Sequence, residues 1–104
     1  MADIMKVHAE VHNEMTNVKL RVKHSMENGQ RKDKQTGKLV AAKFLQEIRV
    51  THGGKAVFTA NLGVGVAPDP FFSFSFSGGA KGDLLTIDWR ENTGKSGSQT
   101  ASIK

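Results

Sequence analysis

Residues 71–77 read Phe71-Phe72-Ser73-Phe74-Ser75-Phe76-Ser77, a strict alternation of aromatic and hydroxyl side chains from Phe72 onward. Successive side chains of a strand point to opposite faces, so this stretch carries one apolar face and one wet face. No helix could bury Phe72, Phe74 and Phe76 together. The same period of two recurs on either side. Met5, Val7, Ala9 and Val11 alternate with polar residues, as do Val18, Leu20 and Val22. Phe44, Ile48 and Val50, with Gln46, are expected on one face of a further strand. Ala56, Phe58, Ala60 and Leu62, then Leu85, Ile87 and Trp89, continue the pattern, and a weak last run ends at Ile103.

The breaks agree with this reading. His52-Gly53-Gly54-Lys55 and Asn92-Thr93-Gly94-Lys95 separate strands at hairpin spacing. Two connections are too long for hairpins, one over residues 25–42 and one over residues 63–70. Pro68 and Pro70 lack an amide donor, which sends the second connection along an edge or between sheets. Long ordered loops in a small domain are commonly functional. The expectation is an all-β protein, an immunoglobulin-like β-sandwich of about seven antiparallel strands, with residues 1–104 forming one domain.

Composition narrows the chemistry. With no cysteine in 104 residues there is no disulfide, thiolate metal site or cysteine nucleophile. The first thirty residues show no apolar core of a signal peptide and no run is long enough to span a bilayer, so sequence alone points to a soluble cytoplasmic chain. The net charge is +5, and residues 19–49 hold nine Lys or Arg against Glu27, Asp33 and Glu47. All seven aromatics lie at Phe44 or beyond, away from most of those cations. Single-strand binders place stacking aromatics beside the positive charge, so no nucleic-acid partner is expected.

Catalytic and metal readings fare poorly. His8 and His12 are four apart, roughly 13 Å along a strand, too far to share an ion. His24 and His52 read as surface or core-edge residues. Gly63-x-Gly65 lacks the rest of a dinucleotide motif, and Gly79-Ala80-Lys81-Gly82-Asp83 reads as a turn. Glu27 and Asp33 flank a loop beside Arg31 and Lys32, where a salt-bridged loop is the simpler reading than an acid–base pair. No catalytic residue, metal or cofactor is assigned. Phe71 points away from the phenylalanine ladder, either plugging a neighbouring loop or joining an exposed apolar patch.

The polar loop His24-Ser25-Met26-Glu27-Asn28-Gly29-Gln30-Arg31-Lys32-Asp33 opens the long first connection. With Lys43-Phe44-Leu45, Gly54-Lys55, Asp69 to Phe74, and Gly82-Asp83 through Trp89, it resembles the SoxZ family of bacterial thiosulfate oxidation. The family pattern is His-Pro-Met-Glu-x-Gly-x-Arg-Lys-Asp, followed in order by a strand entry, a Gly-Lys hairpin, an Asn-Pro-aromatic-x-Phe segment and a Gly-Asp strand. The likeness runs over residues 17–92. Ser25 and Ala42 stand where the family usually has proline, and Asp69 where it has asparagine.

The resemblance implies an immunoglobulin-like, non-catalytic subunit that pairs with SoxY, whose C-terminal cysteine carries the sulfur intermediate. It implies a periplasmic location by co-export with that partner, and transient contacts with other Sox enzymes. Partner contacts are expected at His24, Met26, Glu27, Gly29, Arg31, Lys32 and Asp33, and at Pro70 and Phe71. Arg31 and Lys32 would favour acidic partner surfaces. Self-association of the isolated chain is left open, and an immunoglobulin-like interaction domain with an unrelated partner is the alternative.

Overall fold

A computed structural model describes residues 4–104. Seven strands run in chain order: β1 (Met5–His12), β2 (Met15–Val22), β3 (Leu45–His52), β4 (Lys55–Asn61), β5 (Phe71–Ser77), β6 (Leu84–Glu91) and β7 (Ser96–Ser102). They form two antiparallel sheets, one ordered β1-β2-β5 and the other β4-β3-β6-β7. The described residues contain no helix. The all-β, two-sheet sandwich is therefore the architecture that the alternation implied.

The core lies where the inner faces meet. Val18, Leu20 and Val22 from β2 face Leu45, Ile48 and Val50 from β3, with Leu85, Ile87 and Trp89 from β6. Each fully buried aliphatic side chain here contributes about 1.5–3 kcal/mol. Trp89 lies across Gly97 on β7, and a Cβ at that position would collide with the indole. Glycine is required there by close packing.

Two details depart from the alternation. On β3 the inner residue is Leu45, buried completely, rather than Phe44, which is only partly buried. The register shifts between Leu45 and Glu47, so a bulge at Gln46 resets the phase. A strict period of two cannot anticipate an inserted residue. Phe72, Phe74 and Phe76 pack on the core but stay half-buried. The reason is that β5 ends its sheet, pairing with β2 alone among the described strands.

The long connections cross between sheets. Residues 23–44 carry the chain from β2 to β3, and residues 62–70 from β4 back to β5. Both crossings reach the same end of the sandwich, because Arg21 and Phe71 lie side by side and Val22 donates to the Pro70 carbonyl.

Candidate functional site

His24 sits two residues beyond Val22, on the inward parity of Val18, Leu20 and Val22. Glu91 ends the inward parity of Leu85, Ile87 and Trp89. A polar side chain at the end of each apolar ladder has nowhere to go but against the other. His24 Nε2 lies 2.7 Å from Glu91 Oε2, with the two side chains 8% and 3% exposed. The amide of Met26 donates to His24 Nδ1 at 2.9 Å, which places the ring proton on Nε2, where it is donated to the carboxylate. Both ring nitrogens are thus engaged.

Burial alone would push the Glu91 carboxyl up. The hydrogen bonds from the Thr93 hydroxyl and His24, together with the Lys43 charge, outweigh burial and hold it below the usual carboxylate range. This ionised strut fixes the base of the first loop.

The second loop is tied to the same histidine. The His24 amide donates to Asp69 Oδ1 at 3.0 Å, and the Asp69 amide donates to the His24 carbonyl at 2.9 Å. Met26 and Asp69 both have positive φ, 49° and 51°. Such backbones are uncommon outside glycine and persist where surrounding bonds impose them. Asp tolerates this region much as Asn does, so the Asp69 departure from the family pattern keeps its conformational job.

Clamped in this way, the two loops border a cleft of about 590 Å³. Ser25, Met26, Glu27, Asn28 and Arg31 form one wall, and Val64 to Pro68 form the other. Met26 is buried at the floor, and its Sδ accepts from the Leu45 amide at 3.4 Å. Glu27 is pinned by two backbone bonds with Lys43 and grips Arg31 in a forked pair, with nitrogen–oxygen distances of 2.8–3.0 Å. The Arg31 hydrogen bonds hold the Glu27 carboxyl below its ordinary value, and Glu27 in turn raises that of Arg31. One wall is therefore charged yet internally balanced, and the other is apolar.

The other expected contact residues lie elsewhere. Gly29 takes φ +84° against Ala42 and turns the loop behind the cleft. Asp33 accepts from the amides of Gln35 and Thr36, closing the tip of a small hairpin in which Lys32 pairs with Leu39 and stays exposed. Pro70 accepts from the Val22 amide and leads into β5. Phe71 is 54% exposed on the outer face of its sheet, with the Arg21 guanidinium 5.8 Å from its ring centre. It belongs to a surface, not to a loop. No three His, Asp or Glu side chains gather for a metal among the described residues.

A family model for the sulphur oxidation protein SoxZ matches residues 4–102. The chain belongs to the SoxZ family. It is thus a subunit of a sulfur-oxidising Sox system, and the matched span contains both cleft loops and the His24–Glu91 strut. A comparison with curated proteins finds no match. For this SoxZ chain, sequence reasoning missed Glu91 and the segment Val64 to Ala67. The signal for Glu91 was present, a carboxylate on the apolar parity of β6.

Proposed function

We propose that this SoxZ chain is a non-catalytic subunit of a periplasmic sulfur-carrier complex, binding a SoxY-type partner at the end where its two long loops meet. The observation that carries this reading is the preformed cleft, held open by the reciprocal His24–Asp69 bonds. Binding sites on rigid sheets use loops fixed in this manner, because a pre-ordered surface loses less entropy on association. The walls supply what a carrier needs, an apolar side for affinity and a balanced charged side for orientation. Cysteine is absent from the chain, so the sulfur-bearing thiol belongs to the partner. Lys32 and its neighbours on the hairpin tip extend the site toward acidic surfaces of the enzymes that the carrier visits.

The test is affinity purification from the native host, with intact-mass analysis of the co-eluting chain and fractionation of the cell. The expected result is a stoichiometric periplasmic partner with a C-terminal cysteine, partly modified by sulfur. Recovery of this chain alone, or with an unrelated partner, overturns the reading.

A further inference from the structure

An open strand edge presents a row of unpaired donors and acceptors, and proteins guard such edges with charge, bulges or cover. Two of the four edges here, β1 and β4, are managed. Along β1, Val11 donates to the Lys104 carbonyl, Lys104 to the Ala9 carbonyl, and Gln99 Nε2 to the Met5 carbonyl, which joins β1 to the β7 side. At β4 a register shift and Lys55 blunt the edge. Strands β5 and β7 have none of these, and of the two only β5 carries a half-buried aromatic ladder. Its seven residues, Phe71 to Ser77, contain no charge, no proline and no bulge.

The free groups of β5 can be assigned. Val22 donates to the Pro70 carbonyl and Gly78 donates to the Glu14 carbonyl, so the even positions face β2. By alternation the amides and carbonyls of Phe71, Ser73, Ser75 and Ser77 face outward. Behind them the inner ladder of Phe72, Phe74 and Phe76 is half-buried, with Phe74 stacked on Phe58 at 4.3 Å between ring centres.

We infer that a second copy of this chain docks on β5, pairing strand to strand in antiparallel fashion about a two-fold axis at Phe74. In that register Phe71 of one copy opposes Ser77 of the other, and Ser73 opposes Ser75, so every outward amide and carbonyl meets a partner. Phe74 lies against its own counterpart and Phe72 against Phe76, which closes the half-exposed ladder.

The charges fit this arrangement. Lys6 sits opposite Arg21, and His8 opposite Lys19, all at the Phe71 end of the outer face. Glu10, paired with His8 at 3.5 Å, lies toward the Ser77 end with His12, Asn17 and Met15, where no Lys or Arg stands on these strands. The two-fold axis sets the basic end of one copy in line with the neutral and acidic end of the other, and keeps the cation clusters apart. The loop cleft stays free, so the inference is independent of the partner reading.

The test is the mass in solution of the purified full chain, and of the assembly recovered from the host, by light scattering and native mass spectrometry. Both are expected to contain two copies of this chain. Ser73→Pro removes an outward amide without touching the bonds to β2, and is expected to halve the mass of the isolated chain with its circular dichroism unchanged. The double variant Ser73→Lys with Ser75→Lys keeps every backbone bond, sets cation against cation across the axis, and is expected to do the same. A wild-type monomer, one copy per assembly, or a dimer indifferent to both variants overturns the inference. Loss of the heteromeric partner in the edge variants, with a monomeric wild-type chain, also overturns it and assigns the edge to that partner.

Discussion

At one end of β6 Glu91 meets His24; at the other end Asp83, just before the strand, meets His52 at 2.9 Å. Each histidine closes the inward ladder of a neighbouring strand, β2 for His24 and β3 for His52. The chemistry is the same and the surroundings are not. The His24 and Glu91 side chains are almost wholly buried, whereas those of His52 and Asp83 are 25% and 42% exposed. His24 spends its second nitrogen on the Met26 amide and its backbone on Asp69. His52 rests against Phe76, and Asp83 closes a turn at the Ala80 amide. One pair organises two loops into a cleft, and the other fastens an ordinary connection. Burial and added partners, rather than residue type, make the difference.

Removing His24 breaks the comparison most sharply. His24→Ala leaves a buried carboxylate with one donor fewer and is expected to cost about 2–3 kcal/mol in chemical denaturation. It should also raise hydrogen exchange at the Met26 and Asp69 amides well before the strands exchange. If those amides keep their protection, the strut does not hold the loops.

Acid gives the next largest effect. The Glu91 carboxyl sits below its ordinary value, so the folded state binds its proton less readily than the unfolded chain. Stability from this group is complete above the unfolded carboxylate value and is lost as pH falls through the lower folded value. Glu91→Gln is expected to flatten the acid limb of a stability–pH curve, and an unchanged slope would contradict the assignment. Asp83 is shifted the same way by His52 and the Ala80 amide. Because it is exposed and screened by solvent, Asp83→Asn should alter that limb far less. Smallest of all is His52→Ala, expected to leave the midpoint of unfolding near that of neighbouring surface changes. A loss matching that of His24→Ala would erase the distinction between the two ends.

Much of this was legible in the residues. Alternation in Met5–Val11, Val18–Val22, Phe72–Phe76 and Leu85–Trp89 located strands correctly, because a half-buried sheet imposes a period of two on its own sequence. The bulge at Gln46 was not legible, since one inserted residue leaves no compositional mark. The half-exposure of Phe72, Phe74 and Phe76 depends on which strand ends a sheet, a property of topology rather than of the strand. The first loop drew attention through its polar run, and it does form a wall of the cleft. Its opposite wall, Val64 to Ala67, stood out in sequence only as a long connection, and its apolar, glycine-rich residues give no sign of a site until the His24–Asp69 bonds bring it across. The salt-bridged reading of this loop holds at one pair, with Arg31 locked to Glu27. The spacing Glu27 to Arg31 permits that pair without requiring it.

The central claim is that the cleft end receives the carrier subunit, and one binding measurement tests it most directly. Gly65 lines the cleft, its φ lies outside the left-handed region, and a Cβ there meets nothing within 4 Å, so Gly65→Trp is expected to place its ring in the cleft with the backbone unchanged. Lys81→Trp places the same bulk in an exposed turn near Asp83 at the opposite end. Titration calorimetry of each variant against the co-purified partner is expected to show about a tenfold or greater loss for Gly65→Trp, with Lys81→Trp binding as the wild type does. Wild-type affinity in Gly65→Trp, or a loss confined to Lys81→Trp, would contradict the account.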